Sequence, residues 1–156
     1  MNKGQRDQLL KPLNPSRVAQ RKGGGGRQLS YLEAWETRAH LIRVFGFGGY
    51  SSEVLTSELM FEEKMEKNWA VGYKVELRLH IKDLDATYTE AAVGSAMLPQ
   101  RGEAHDMAVK TAESDAFKRA AINLGTQFGL SLYSDGSLKD VVGKTLDVDT
   151  LPEESA

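Results

Sequence analysis

The sequence contains no cysteine, which excludes disulfide bonds, thiolate metal sites and cysteine nucleophiles and is compatible with a reducing cytoplasm. It has no uninterrupted apolar run near the roughly 18 residues that a transmembrane helix needs. The first ten residues lack the apolar segment and the cleavage site of a secretory signal. Of the 156 residues, 27% are charged and 40% hydrophobic, as in an ordinary globular domain. We therefore expect one cytoplasmic domain with a buried core.

Positive charge is scarce overall, because 20 Lys and Arg face 22 Asp and Glu, but it is concentrated at the amino end. Residues 1–43 carry nine basic and three acidic side chains, whereas residues 44–104 carry six against ten and residues 105–156 five against nine. This asymmetry is typical of a solvated N-terminal arm and also of a binding site for a polyanion. Charge alone leaves both interpretations open.

A run of four glycines, Gly23 to Gly26, lies within the basic amino end. Arg21 and Lys22 precede the run and Arg27 follows it. Glycine backbone approaches a ligand closely, and fixed positive charge beside it suits a polyanion. The pattern therefore favours a polyanionic ligand.

Apolar periodicity predicts an α+β domain with the order helix, three-stranded antiparallel meander, helix. A first helix is predicted over 30–44, beginning with a capping box of Ser30 and Glu33. Its predicted buried stripe is Leu32, Trp35, Ala39, Ile42 and Phe45.

Three strands are predicted over 51–62, 69–82 and 87–97. The second has the clearest signal, because apolar and polar residues alternate along its whole length. A long helix is predicted over 103–124 with Gly125 as its C-cap. Its predicted buried stripe is Met107, Ala108, Ala112, Ala116, Phe117, Ala120, Ala121 and Leu124.

Several apparent catalytic or ligand sites are rejected. Residues 143–145 (Gly-Lys-Thr) lack the upstream glycine of a nucleotide-binding loop, because that position is Leu138. Residues 147–149 lack the turn glycine and closing glutamate of a calcium loop. The histidines have no metal-ligand spacing and no nucleophile to activate; they are His40, His80 and His105. We expect neither an enzyme nor a cofactor or metal site.

Basic residues on separate predicted elements remain as candidate binding groups. They are Lys110, Lys118 and Arg119 on the long helix and Lys74, Arg78 and Lys82 on the polar strand face. Phosphate binding needs only charge along a groove, without base-specific geometry. Each of these side chains could equally be solvated or paired with a carboxylate, for example Glu76 or Glu113.

An ordered set of motifs resembles the Rad52 family of single-strand annealing proteins. The opening matches at Leu13-x-Pro15, Arg21, the glycine run and Tyr31-x-Glu33. The aromatic-glycine turn matches at Phe45-Gly46-Phe47-x-Gly49-Tyr50, and the central hairpin at Lys82-Asp83 and Tyr88-x-Glu90. The second half matches at Lys110-x-Ala112, Asp115-x-Phe117-Lys118-Arg119-Ala120, Gly125 and Gly129.

The resemblance implies a β-β-β-α core that assembles into a homo-oligomeric ring. It also implies that the ring binds single-stranded DNA and anneals complementary strands without ATP, in homologous recombination and DNA repair. The implied inner contacts are Lys110, Lys118 and Arg119, and the implied outer contacts are Lys82 and Arg101. The implied annealing domain is residues 13–130, between an N-terminal arm (1–12) and a flexible acidic tail (131–156).

The chain departs from the family pattern at two positions. Glu36 and Ile122 stand where the family has arginines of the DNA groove. The candidate replacements for this missing charge are Lys22, Arg27, Arg38 and Arg43. The long C-terminal region of eukaryotic members has no counterpart in the sequence, which implies a minimal bacterial or phage version. Its candidate partners are then a single-strand-binding protein or an exonuclease of the host or phage.

Two other functions remain open. A passive protector of single strands would use aromatic stacking, for which Phe47 and Tyr50 are the candidates, although we expect both in the core or an interface. A non-DNA oligomeric scaffold would leave the basic residues solvated.

Overall fold

The structure is a computed structural model that describes residues 1–143, and it confirms the α+β class. The helices in this range are α1 (Lys3–Leu9), α2 (Ala34–Phe45), α3 (Arg101–Ala121) and α4 (Leu130–Ser134). The strands are β1 (Ala19–Lys22), β2 (Gln28–Tyr31), β3 (Tyr50–Lys64), β4 (Trp69–Ile81) and β5 (Ala86–Leu98). These elements form two units. Of the described residues, the first unit comprises Met1–Tyr50, Ile81–Asp85 and 121–143, and the second comprises Ser51–His80 and Ala86–Ala120.

The second unit is the predicted meander packed on a long helix. The strand order is β3-β4-β5, and the pairing is antiparallel. Along β4, Val71, Val75, Leu77 and Leu79 are at most 1% exposed, so its alternation predicted the buried face correctly. Val71 packs against Ala104 and Ala108 of α3, which places the core between sheet and helix.

Close approach of sheet and helix depends on Gly94 of β5. A Cβ atom at this position would overlap the backbone of Ala112 and Ala108 on α3. The small residues on both elements therefore let the sheet and α3 come into backbone contact.

The prediction of α3 was correct for its alanine face and wrong at its ends. The helix begins at Arg101 rather than 103, and Ile122–Leu124 form a 3₁₀ turn that ends at Gly125, where φ is 95°. Met107, predicted to be buried, is 50% exposed. The alanines at 108, 112, 116 and 120 are fully buried, because only small side chains fit under the sheet.

In the first unit, the glycine run is the turn of a small β-hairpin. β1 and β2 pair antiparallel, with Arg21 opposite Leu29 and Lys22 opposite Gln28. Gly25 and Gly26 have φ values of 72° and 76°, which side chains other than glycine rarely adopt. The predicted loop is correct, whereas the flanking strands were not predicted.

The prediction for α2 was wrong in its start and in its buried face. Ser30 lies in β2, and the N-cap is Glu33, without a side-chain capping bond. Trp35, predicted to be buried, is 63% exposed. The buried residues of the helix are Glu36, Thr37, His40, Leu41, Val44 and Phe45.

Leu13, Leu32 and Leu132 form a buried cluster in the first unit, with Val18 and Leu138 packed against it. The backbone N–H of Leu13 donates to the carbonyl of Leu138 at 2.8 Å. The predicted division at residues 12 and 130 and the predicted flexible tail stay predictions. The rejected calcium loop at 147–149 and most of the rejected nucleotide loop at 143–145 lie outside the described residues. Among the helices that the structure describes, none is long and apolar enough to span a membrane.

Candidate nucleic-acid interface

The three predicted inner contacts, Lys110, Lys118 and Arg119, lie on α3, and each faces a carboxylate. Lys110 Nζ is 2.8 Å from Asp106, Lys118 Nζ is 3.5 Å from Asp115, and the Arg119 guanidinium is 3.5 Å from Glu90. The side chains of Lys110 and Arg119 are 69% and 60% exposed. Such exposed pairs contribute about 0–1 kcal/mol, so a phosphate group can replace the carboxylate at little cost.

A groove of about 550 Å³ lies beside the first turns of α3. Its lining includes Lys110 together with the carboxylates of Glu103, Asp106 and Asp115. One lysine among three carboxylates leaves this groove with negative local charge. Lys118 and Arg119 are not part of this lining.

Arg101, predicted as an outer contact, is already bound to a carboxylate. Its Nε and Nη2 donate to the two oxygens of Glu62 at 3.1 and 3.0 Å. Its guanidinium also lies 5.1 Å from the centroid of the Trp69 ring. His105 holds Glu62 from the other side through Nε2, and the Tyr73 hydroxyl is 2.7 Å from His105 Nδ1. Hydrogen bonds from His105 and Arg101 hold the pKa of Glu62 below its usual range.

The cations of the β1–β2 hairpin are differently placed. Lys22 and Arg27 are exposed beside the glycine turn, and within residues 1–143 neither forms an ion pair. The Arg21 guanidinium lies 5.5 Å from the centroid of the Tyr31 ring on the neighbouring strand. These side chains can contact phosphate without displacing an acidic partner in the described part of the chain.

Lys82 is exposed in a 3₁₀ turn (Lys82–Leu84) between β4 and β5. Its backbone N–H donates to the carbonyl of Gly49 at 3.0 Å, which ties this turn to the aromatic-glycine turn. The neighbouring Asp83 accepts a hydrogen bond from Gln5 Nε2 at 2.6 Å. This acidic neighbour is therefore engaged elsewhere.

Glu36, the first departure from the family pattern, is buried and its charge is compensated by two arginines. It is 4% exposed, and Arg17 donates to both of its oxygens at 2.9 Å. Arg43 donates a third hydrogen bond at 2.7 Å. Burial acts to raise the pKa of Glu36, but the bonds from Arg17 and Arg43 outweigh it and hold the pKa below its usual range. Arg43, a predicted replacement for the missing charge, is thus engaged in this buried cluster.

Arg38 and Ile122 are the remaining positions considered for the DNA groove. Arg38 is partly exposed on α2 and has an interaction partner. Ile122, the second departure from the family pattern, is partly exposed in the 3₁₀ turn after α3.

Sequence analysis missed the acidic partners of these cations. Glu62 is 39 residues from Arg101, and Glu36 is 19 residues from Arg17, so no local spacing indicates either pair. The histidines were treated as isolated, whereas His105 contacts Glu62 and His40 contacts the buried Gln127. No group of three or more potential metal ligands occurs within residues 1–143.

Comparison with known proteins agrees with the motif pattern. A family model described as Rad52/22 family double-strand break repair protein matches residues 2–146. The DNA repair and recombination protein rti1 of Schizosaccharomyces pombe is 31% identical over 136 residues, which cover 86% of this chain and 36% of the relative.

Other fungal relatives match over a similar share of this chain. The DNA repair and recombination protein rad22 of the same yeast is 32% identical over 85% of this chain and 29% of its own length. The DNA repair and recombination protein RAD52 of Saccharomyces cerevisiae is 28% identical over 87% of this chain and 28% of its own length. The chain thus spans roughly a third of the length of these relatives.

Proposed function

Because the chain belongs to the Rad52/22 family of double-strand break repair proteins, we propose that it binds single-stranded DNA and anneals complementary strands without ATP. The observation that carries the proposal is the family match together with two cations on α3: Lys118, whose side chain is 21% exposed, and Arg119, whose side chain is 60% exposed. Lys110, Lys22, Arg27, Arg38 and Lys82 are secondary contacts in this proposal.

Annealing needs the sugar-phosphate backbone held and the bases left accessible to a second strand. Lys and Arg contacts to phosphate supply affinity without reading sequence, so every register of the two strands can be tested. Base pairing itself is downhill, and the reaction therefore needs no nucleotide as an energy source. A protein of this kind is an annealing protein rather than a classical enzyme.

We also propose that several copies assemble into a ring. Supporting this, β3 is an edge strand with apolar side chains that are 40–51% exposed along it and the following turn, namely Val54, Leu59, Met60, Phe61 and Met65. A long exposed edge with apolar side chains is a surface that another copy of the chain can cover. Repeated weak sites along one strand then add up to useful affinity.

A bacterial or phage origin stays a prediction, since the relatives named above are fungal. The cytoplasmic location and the single-strand-binding protein or exonuclease as partner depend on that origin and are predictions too.

A passive protector of single strands is the second candidate, and one observation favours it. Phe47 is 94% exposed, so it does not lie in the core of the chain, and the expected interface position stays a prediction. It lies in the Gly46–Gly49 turn, and the Gly49 carbonyl accepts a hydrogen bond from the backbone N–H of Lys82. An exposed aromatic ring suits base stacking, worth about 1–3 kcal/mol per base.

The test mixes two complementary labelled oligonucleotides with the protein in the absence of nucleotide. An annealing protein accelerates duplex formation, a protector slows it, and a scaffold does neither. Lys118→Ala/Arg119→Ala should weaken binding to any base sequence and lower the salt slope by about 0.7 for each phosphate that is no longer bound. Lys67→Ala/Lys139→Ala removes the same charge from exposed lysines outside the proposed contacts and should bind like the parent. Equal binding by both double variants would refute the assignment of Lys118 and Arg119.

A further inference from the structure

A second cationic cluster lies in the second unit, where β3 ends and α3 begins. Lys64 is the last residue of β3, Trp69 the first of β4, and Arg101 the first of α3. Lys64 Nζ lies 5.2 Å and the Arg101 guanidinium 5.1 Å from the centroid of the same Trp69 ring. Both cations thus contact the same indole ring. Their positive charges attract an anion that approaches this ring.

The Glu62 carboxylate is the anion that this surface holds in the structure. Its two oxygens accept parallel hydrogen bonds from Arg101, which is the bidentate geometry that a guanidinium also forms with phosphate. His105 contacts Glu62 Oε2, and Tyr73 in turn contacts His105. Glu62 is therefore held in place by side chains from β4 and α3.

The bond between Glu62 and Arg101 is accessible to a competing ligand. Arg101 is 62% exposed and Glu62 21% exposed, so water screens their attraction. The lowered pKa of Glu62 means that the carboxylate is ionised at neutral pH. It is thus a permanent internal competitor for any anion that approaches Arg101.

We propose that Lys64, Trp69 and Arg101 form a binding site for a backbone phosphate of single-stranded DNA, and that Glu62 occupies this site until the phosphate displaces it. The proposal rests on the proposed function. To Arg101, an outer contact implied by the family resemblance, it adds Lys64, Trp69 and a competing carboxylate. His105 is a positioning residue, because it acts only through Glu62. Competition from Glu62 keeps the phosphate contact weak and reversible. A strand that must shift register during annealing requires contacts of this kind.

The central experiment measures the affinity for a labelled oligo-dT strand in Glu62→Gln. This variant keeps the size and shape of the side chain but removes the competing charge. We expect affinity to rise about three- to tenfold at moderate salt, with a salt slope steeper by up to about 0.7 because one further phosphate is contacted. The gain should disappear in Glu62→Gln/Arg101→Gln and shrink in Glu62→Gln/Lys64→Gln.

Glu63→Gln is the matched control, since it removes the same charge from the neighbouring exposed position of β3. It should change affinity less than twofold, as expected for a screened surface charge. Equal gains in affinity in Glu62→Gln and Glu63→Gln would show that net charge alone causes the effect, and would overturn the proposal. A gain that persists in Glu62→Gln/Arg101→Gln would also overturn it. Unchanged or weaker DNA binding by Glu62→Gln would overturn it as well.

A spectroscopic measurement gives an independent readout. In a Trp35→Phe background, Trp69 is the single tryptophan. When phosphate displaces Glu62, the contact between the Trp69 ring and Arg101 should change. We expect a saturable change in Trp69 emission with oligo-dT, and a change at lower DNA concentration in Glu62→Gln. DNA binding without any change in emission would contradict the site.

Failure of this inference and failure of the proposed function are distinguishable. A folded parent protein that binds no single-stranded DNA refutes the function. A parent that binds and anneals, is weakened by Lys118→Ala/Arg119→Ala, and gains nothing from Glu62→Gln refutes only the site at Arg101. If Glu62→Gln does not fold, Glu62→Asp serves instead, because its shorter side chain loosens the bidentate contact and should give a smaller gain in affinity.

Discussion

His40 shows how a buried hydrogen-bond network fixes the protonation of one residue. Gln127 Nε2 donates to the carbonyls of Lys11 and Pro12 at 2.8 Å each, so Gln127 Oε1 faces His40. His40 Nε2, 2.9 Å away, must therefore be the donor, and Nδ1 is left to accept from Arg43 at 3.3 Å. His40 is thus neutral. Burial, and then the positive charge of Arg17, lower its pKa to about 4.

This network predicts a loss of stability on mild acidification. In the unfolded chain His40 binds a proton near its ordinary pKa of 6.5, whereas the folded chain binds it only near 4. The unfolded state is therefore favoured as the pH falls from about 6.5 to about 4. Urea unfolding at fixed protein concentration should show a loss of up to about 2 kcal/mol between pH 7.5 and pH 5.

The variant His40→Asn cannot take up this proton, so its stability should differ less between the two pH values. A parent and a variant with the same pH dependence would contradict the assignment of neutral His40.

The Glu36 cluster predicts unequal costs for its two arginines. Arg17 is 11% exposed and holds both oxygens of Glu36, so Arg17→Ala leaves a buried carboxylate under-compensated. We expect a loss of about 3 kcal/mol in the free energy of unfolding. Arg43 is 52% exposed, and Arg43→Ala should cost about 1 kcal/mol or less. Urea titrations of both variants check the order, and an equal or reversed order would contradict it.

At the scale of the element, Gly94 predicts where the second unit tolerates no side chain. A methyl group in Gly94→Ala would overlap the backbone of α3 at Ala108 and Ala112, forcing β5 away from the helix. We expect a loss of about 1–3 kcal/mol, the usual cost of overpacking. The unfolding midpoint in urea measures it.

Gly102→Ala is the matched control for this prediction. Gly102 lies in the first turn of α3, and a Cβ atom there meets nothing within 4 Å. The change should be neutral or stabilising by up to about 1 kcal/mol, because alanine restricts the unfolded chain. Destabilisation by both variants to the same extent would show that backbone contact with α3 is not the cause.

The elements also show which features sequence patterns can predict. Alternation identified β4 because its buried side chains are all apolar, from Val71 to Ile81. The same reasoning failed on α2, because the buried face of this helix includes Glu36 and His40. Arg17 and Gln127, far away in sequence, satisfy these polar groups. The spacing of apolar residues therefore cannot identify a buried helix face that contains charged residues, because their partners lie far away in the sequence.

For the candidate site, too, the sequence predicts some features and not others. It identifies candidate basic residues, because their charge is evident from residue type and the family motifs fix their order. Whether a given cation is available depends on contacts across many residues, as between Arg101 and Glu62. Lys118 and Arg101 look equivalent in sequence, but Arg101 donates to both oxygens of Glu62, 39 residues away, whereas Lys118 lies 3.5 Å from Asp115 on its own helix.

At the scale of the whole molecule, the proposed DNA binding has to be reconciled with a net charge of −2. In the proposal a single copy offers few phosphate contacts, and several of its cations have acidic partners. The proposed assembly would resolve this difficulty, because contacts that are weak in one copy would act together when one strand crosses several copies. Affinity should therefore depend on strand length more steeply than on the charge of any single copy.

If copies of the chain meet at the exposed edge strand β3, changes on β3 should abolish the dependence of DNA affinity on strand length. Val54→Glu/Met60→Glu places two charges on apolar positions that are 47% and 51% exposed, and should prevent a second copy from covering the edge. We expect a smaller particle in sedimentation velocity. Binding to a strand that covers one copy should be nearly unchanged, whereas binding to a long strand should weaken by tenfold or more, as avidity effects of about 10²–10⁴ allow.

Val141→Glu alters an exposed apolar residue outside this edge and should leave both properties unchanged. Normal assembly of the β3 variant would exclude β3 as the contact between copies. A parent protein that sediments as a monomer, and binds long and short strands equally, would exclude assembly as the source of affinity. The cations of one copy would then have to carry binding alone.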